Sequence, residues 1–355
     1  MSDQQQSSPL PRPLRFLAAP LAAGYSRIIG SRNAAFDAGR GVVEIDRPVM
    51  SVGNLSVGGT GKTPMVAWVV KTLLEAGHHP AIAMRGYASS ESAGSDEAEE
   101  YRAAFAEVPV VAQANRLAGL LELFATETGE ACDCVVLDDG FQHRRIARQL
   151  DIVLVDATRD PFADRLLPSG WLREPLESLR RAGVVILTHA ESVTPSDVAR
   201  LKRDIGRIAP GAKLAVARHA WASLVVARPQ GEQEDYVQWL RGKRVIAACG
   251  IGNPRPFVRA VNEATGNPAN EFIRPDHDPF VPQTLEKLIG EARRSGVDAI
   301  VVTGKDWSKL KRVRPEAWPC PVVRPMLEMA FDEGGDLVKQ AVVNAAGAPL
   351  PAREQ

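Results

Sequence analysis

A chain of 355 residues is too long for one small module and suits two medium domains; 45% apolar and 24% charged residues exclude a disordered or fibrous protein. Lysine plus arginine numbers 43 and aspartate plus glutamate also 43, so no cationic excess supports a dedicated nucleic-acid binder. Cys132, Cys134, Cys249 and Cys320 make no disulfide framework in so long a chain and lack the spacing of a zinc site, which indicates a reducing compartment.

In chain order, the first charge-poor stretch is Phe16–Ser26, eleven residues where a spanning helix needs about 20. No small-residue cleavage site follows a long apolar core there, as a secretory signal would require. Arg12, Arg15, Arg27, Arg32 and Arg40 face one acid, Asp37, a local net charge of +4. Leu14, Leu17, Leu21, Tyr25 and Ile28 recur at helical spacing, and Pro20 would kink such a helix or start a new one. Two readings stand: a helix packed on the rest of the protein, or an arginine-flanked helix in the interface of an anionic membrane.

Beyond Asp46, strand, turn and helix alternate. Pro48–Gly53, Pro80–Met84, Val108–Ala112, Cys132–Leu137, Asp151–Val155 and Val184–Thr188 read as short buried strands. Lys62–Ala76, Asn115–Thr126 and Pro195–Ile208 read as helices between them. Such alternation implies an α/β fold with a mostly parallel sheet covered on both faces. The pattern loosens over Ala220–Asp235, then resumes with the strands Lys243–Cys249 and Asp298–Thr303. The expected organisation is a disordered start and amphipathic helix region over 1–46, a nucleotide-binding domain over 47–218, a smaller α/β domain over 219–340, and a disordered tail over 341–355.

Ser56-Val57-Gly58-Gly59-Thr60-Gly61-Lys62-Thr63 follows a strand and opens a helix, the setting a phosphate-binding P-loop requires. The glycines let backbone amides turn toward phosphate oxygens, and the helix offers its positive end to the same anion. Lys62 would reach the β- and γ-phosphates and the Thr63 hydroxyl would bind Mg²⁺. The usual first glycine is Ser56 here. Cys132–Leu137 delivers Asp138 and Asp139 at its carboxyl end, as expected for the acids of the metal side. Neither Thr188–Glu191 nor Thr303–Asp306 matches the Asn-Lys-x-Asp element that selects guanine, so ATP is the expected nucleotide.

Further segments then become legible together. Val52–Pro64, Arg85-Gly-Tyr87, Asp138-Asp-Gly-Phe-Gln-His143, Leu167–Pro175, Gly250-Ile-Gly-Asn-Pro254 and Asp276-His277 occur in this order, and the set resembles the tetraacyldisaccharide 4′-kinases of the lipid A pathway. The resemblance implies transfer of the γ-phosphate of ATP to the 4′-hydroxyl of a tetraacylated disaccharide 1-phosphate, with Mg²⁺. It also implies peripheral association with the cytoplasmic face of the bacterial inner membrane, an acylated lipid as partner, and no obligate protein partner. By the same resemblance Asp96 serves as base, assisted by His277. His143 would support the metal acids, Glu174 would be a nucleotide- or metal-side carboxylate, and Arg85 and Arg173 would face phosphate. Thr303-Gly-Lys-Asp306-Trp307 is similar to the family's Thr-Glu-Lys-Asp-Ala and receives no role. His78, His79, His189 and His219 read as structural. The rival expectations are a soluble P-loop kinase or ligase acting on a small metabolite, and a nucleotide-dependent regulatory switch.

Overall fold

The computed structural model describes residues 9, 18–58, 60–86, 93–276 and 278–348, with the side chains of 93–96 left aside. The chain forms two compact units: residues up to His219 together with those from Met329 onward, and Ala220–Glu328 between them.

The first unit contains α1 (Ala18–Asp37), β1 (Val49–Asn54), α2 (Lys62–Glu75), β2 (Pro80–Met84), α3 (Ala93–Ala104) and β3 (Val110–Ala112). It continues with α4 (Arg116–Phe124), α5 (Glu127–Glu130), β4 (Cys134–Asp138), β5 (Leu150–Asp156), β6 (Val184–Thr188), α6 (Pro195–Ile208) and the start of β7 (Lys213–Arg228). Neighbouring strands run in the order β7-β6-β5-β1-β4-β2-β3, and every pair is parallel. All residues of β1, β2, β4 and β6 are buried, which is why they read as continuous apolar runs without alternation. On one face α2 buries Met65, Val66, Val69, Val70 and Leu73, each contributing roughly 1.5–3 kcal/mol of transfer free energy. Local signals close several helices: Asn115, Thr126 and Thr194 each accept a backbone N–H at a helix start.

The second unit holds the rest of β7, β8 (Gly231–Asp235), β9 (Val245–Cys249), α7 (Arg255–Thr265) and β10 (Asn270–Ile273). It ends with α8 (Pro282–Ser295), β11 (Ala299–Val302), α9 (Gly304–Leu310) and the first part of β12 (Val322–Glu333). The parallel order here is β10-β9-β11-β12, and β8 pairs antiparallel with β7.

Three differences from the sequence expectations have physical causes. The stretch read as loose, 220–235, is the end of β7 and the β8 hairpin. Leu224 and Val226 are buried there in alternation with more exposed neighbours, a half-covered strand rather than a loop. The second unit stops at Glu328, not 340, and α10 (Gly335–Ala346) occupies part of the expected tail. Its Val338, Val342 and Ala345 join the core of α2, and Trp68 stacks on Phe331 at 4.9 Å between ring centroids. Finally, α1 splits its expected apolar face. Tyr25 and Ile29 turn onto the first unit, whereas Leu21 and Ile28 are 53% and 68% exposed. Leu14 and Leu17 lie outside the described residues. Pro20 falls in the first turn of α1, where its missing N–H costs nothing.

Candidate active site

The site begins where the strand order changes direction. β1 has β4 on one side and β5 on the other, and the crevice outside their carboxyl ends is where open parallel sheets take ligands. Residues 55–57 are laced to the Leu167–Pro175 segment: Arg173 N donates to Leu55 O at 2.7 Å and Val57 N to Trp171 O at 2.8 Å. Asn54 Nδ2 donates to the buried Thr60 Oγ1 at 2.9 Å, and Thr188 Oγ1 donates to Thr60 O at 3.1 Å. The loop is therefore held at its start by main-chain bonds and near its end, at Thr60, by two short polar side chains. Gly61 caps α2 with φ 86°, and a Cβ there would run into the His219 imidazole, so only glycine is accommodated. Gly59 lies outside the described residues.

His219 and His189, read as structural in the sequence, thus border the phosphate loop. Their rings meet edge to face with centroids 4.6 Å apart. Burial pushes His219 down to about 4, whereas Asp156, 3.3 Å from His189 Nδ1, outweighs burial and raises His189.

At the end of β4, two adjacent carboxylates have opposite surroundings. Asp139 adopts φ 49°, which swings its side chain toward Lys62 Nζ at 3.5 Å and Arg173 Nη1 at 2.9 Å. Burial raises its pKa, but Lys62 and Arg173 outweigh that and hold it below the ordinary value. Asp138 is 4% exposed, and its pKa is pushed up to about 6, first by burial and then by Glu97, with Lys62 opposing. Its Oδ2 accepts from the Tyr101 hydroxyl at 3.1 Å, while Oδ1 is buried without a hydrogen-bond partner. The Thr63 side chain is near enough to Tyr101 to oppose the rise in its pKa that burial and Asp138 cause. The Tyr101 hydroxyl therefore lies between the helix-start threonine and the buried carboxylate, and is bonded to the carboxylate. An orphaned carboxylate oxygen costs stability unless something binds it. The hard oxygen donors of Thr63 and Asp138 suit a divalent cation such as Mg²⁺, with Asp139 committed to Lys62 and Arg173 instead.

This arrangement has relatives. The family model for tetraacyldisaccharide-1-P 4′-kinase matches residues 14–340. The chain belongs to that family. A tetraacyldisaccharide 4′-kinase of Anaeromyxobacter sp. strain K is 36% identical over 365 residues, covering 96% of this chain and 94% of that one. The kinase of the same name from Chlorobium luteolum is 33% identical over 320 residues, covering 84% and 88%. A crystal structure of LpxK from Aquifex aeolicus in complex with ATP aligns with a TM-score of 0.69 at 27% identity, covering 94% of this chain and 99% of that one.

In this tetraacyldisaccharide 4′-kinase family member, the remaining expected residues separate. Arg173 reaches Asp139, but Glu174, next to it in a bend of the chain, takes other partners. Glu174 is fully buried and accepts from Asn33 Nδ2 at 2.8 Å, Ser178 Oγ at 3.0 Å and Arg181 Nη2 at 3.1 Å. These partners, all on Oε2, tie it to α1 and to Arg181, while its Oε1 is buried without a hydrogen-bond partner. Tyr25, whose hydroxyl donates to Arg173 O at 2.8 Å, is the second anchor of that helix. His143 follows the Asp-Asp-Gly turn, and burial with nearby Arg116, Arg148 and Arg145 lowers its pKa to about 4, so it is neutral at physiological pH. Arg85 stands exposed just past β2, close enough to lower the pKa of Arg116. Asp96 sits in the first turn of α3, the helix that also carries Tyr101, but its side chain is outside the description. His277 lies outside the described residues.

Two contributors were not visible in the sequence. Arg116 is 3% exposed and donates to Asp139 O at 3.2 Å, yet it read only as a helix start. Tyr101 sits at core spacing with Ala98 and Phe105, and nothing in that pattern reveals that its hydroxyl faces Thr63 and Asp138. Elsewhere in the unit His78, Asp133 and Cys134 gather within 4.8 Å. Asp133 binds His78 Nδ1 and His79 N, both at 2.8 Å, so this group closes the strand edge with its own hydrogen bonds.

Proposed function

We propose that the chain transfers the γ-phosphate of ATP to the 4′-hydroxyl of tetraacyldisaccharide 1-phosphate, giving the bis-phosphorylated lipid A precursor and ADP. The observation that carries this reading is the paired turn at the end of β4, where Asp139 faces Lys62 and Asp138, held on one oxygen by Tyr101, keeps the other buried without a partner.

Phosphoryl transfer asks for alignment, charge neutralisation and a group that accepts the hydroxyl proton. The backbone of Ser56–Gly61 wraps the phosphates, and Lys62 exchanges Asp139 for the β- and γ-phosphate oxygens. Thr63 and Asp138 would hold Mg²⁺, which would supply positive charge to offset that of the phosphates. Asp138 is the direct metal acid in this reading, and Asp139 with Arg173 holds Lys62 in place until nucleotide arrives. Arg85, Arg116 and Arg173 supply positive charge for substrate phosphate. Asp96 takes the proton of the 4′-hydroxyl, assisted by His277.

No helix among the described residues is long and apolar enough to cross a membrane. We place the protein peripherally on the cytoplasmic face of the inner membrane, where α1 offers Leu21 and Ile28 to the bilayer while Tyr25 and Asn33 hold it to the first unit. Leu21→Ser with Ile28→Ser should lower co-sedimentation with anionic vesicles and spare ATP binding; unchanged sedimentation would remove that role.

The deciding experiment uses γ-labelled ATP, Mg²⁺ and tetraacyldisaccharide 1-phosphate in detergent micelles, with Lys62→Ala as control. Label in the lipid fraction with the unmutated protein alone is the expected result. A folded, ATP-binding protein that labels no lipid would overturn the acceptor.

A further inference from the structure

The Thr303–Trp307 segment carries no role in the reaction as described so far, yet its aspartate is among the most completely engaged side chains of the second unit. Asp306 is fully buried. Its Oδ2 accepts from Gly250 N at 2.9 Å and from Thr303 Oγ1 at 2.7 Å, and its Oδ1 accepts from Lys309 Nζ at 3.3 Å. Lys309 donates in turn to Asp278 O at 2.9 Å. The Asp278 carboxylate binds Arg274 Nε at 3.1 Å and Phe280 N at 2.8 Å, and Arg274 N donates to Cys249 O at 2.8 Å. Arg274 pairs with the Asp278 carboxylate and Lys309 with the Asp306 carboxylate, and the two ion pairs are linked through the Asp278 main-chain carbonyl, so the buried Asp306 keeps a cationic partner.

The same atoms enforce close packing. A Cβ on Gly250 would lie 3.2 Å from Pro275 O and 3.4 Å from Asp306 Oδ1, and one on Gly252 would lie 3.2 Å from Asp276 Oδ2. The Gly250–Pro254 loop therefore packs against the Pro275 carbonyl and the Asp276 and Asp278 side chains, residues on both sides of position 277 in the sequence. Just beyond, Phe280 is buried with φ 50°, an unfavourable conformation for a side chain of that size, maintained because Asp278 holds its N–H. Three segments far apart in sequence, at 250, 274–280 and 303–309, are tied together at one carboxylate.

We infer that Asp306, through Lys309 and the Gly250 amide, is the positioning residue for the segment that carries His277. It touches neither nucleotide nor lipid; it ties the main chain at Gly250 and, through Lys309, at Asp278, which is next in sequence to His277. This inference rests on the reading of His277 as a group that assists acceptor activation. The Thr-Gly-Lys-Asp segment then has a purpose: Thr303 orients the carboxylate, Asp306 ties the loop, and Lys309, one helical turn on, passes the constraint to Asp278.

The test is a double-mutant cycle in the γ-labelled ATP and lipid assay, with His277→Ala, Asp306→Asn and their combination, alongside the KM for ATP and thermal unfolding. Asp306→Asn should lower kcat roughly ten- to a hundredfold, the scale of an ångström-sized misplacement, with KM for ATP within about twofold because its described contacts all lie in the second unit. In the combined variant it should add less than about twofold to the loss from His277→Ala, since a residue acting through another has nothing left to position. Full additivity, or Asp306→Asn with near-normal kcat, overturns the inference and leaves the role of His277 standing. Near-normal turnover in His277→Ala overturns that role and this inference with it. Should Asp306→Asn fail to fold, Lys309→Met, a partly exposed position in the same chain of contacts, carries the same cycle and the same two outcomes.

Discussion

Two buried carboxylates, one in each unit, show how differently a fold can spend a negative charge. Asp306 has both oxygens occupied by a main-chain amide, a hydroxyl and an ammonium group. Asp138 has one oxygen on Tyr101 and one on nothing, and its pKa has risen to about 6. The first is framework, complete as the protein folds. The second is a seat kept open, and its cost is carried by the surrounding sheet until a cation takes it.

The sharpest way to break this contrast is to neutralise both groups. Asp138→Asn should reduce kcat by about a thousandfold or more, the scale of removing a charged group from a phosphoryl-transfer site. It should also raise the melting temperature of the metal-free protein at pH 8, because a buried uncompensated charge is gone. A lower melting temperature would mean that Asp138 is framework after all. Asp306→Ala should do the reverse to stability, costing about 3 kcal/mol in urea denaturation by leaving Lys309 and the Gly250 amide unmatched.

Acid separates the two next. The folded pKa of Asp138 lies above its unfolded value, so folding favours the protonated form. Its contribution to stability is fully present below about pH 4 and is lost as pH rises through about 6. A cation needs the ionised form, so apparent Mg²⁺ affinity in the presence of ATP should fall up to about tenfold per unit below pH 6, measured by titration calorimetry. Asp138→Asn should abolish that dependence. The smallest expected effect is Tyr101→Phe, a loss within about 1 kcal/mol in stability and a raised Mg²⁺ requirement, since it removes the hydrogen bond to Asp138.

Legibility in the sequence followed contiguity. The P-loop and the Asp138–Asp139 turn are local constructions in which strand end, glycines and acid lie within a few residues, and the sequence showed them directly. Tyr101, Arg116 and His219 act on those same groups from other elements, and only tertiary structure brings them there. The sequence did not separate Glu174 from its neighbour: Arg173 faces Asp139, whereas Glu174 takes Asn33, Ser178 and Arg181, and only the fold shows that division. The core strands were clear because full burial removes polar residues. The far end of β7 was not, since half-burial mixes both kinds, and α10 was lost in a terminal stretch whose apolar face needs α2 to be recognised as one.

The placement of α10 has a consequence for how the molecule comes into being. Its Val338 and Val342 complete the core under α2, the helix that starts at Lys62, yet they are encoded after the whole of the second unit. A ribosome that has delivered the entire phosphate loop has not yet delivered the apolar cover for the helix behind it. The later-encoded second unit has its whole sequence available first, and the nucleotide-binding half must wait, partly uncovered, for the final segment. The loop is thus made before the cover for its helix, and a chain cut short between Thr63 and Gly335 would carry every residue of the loop without that packing.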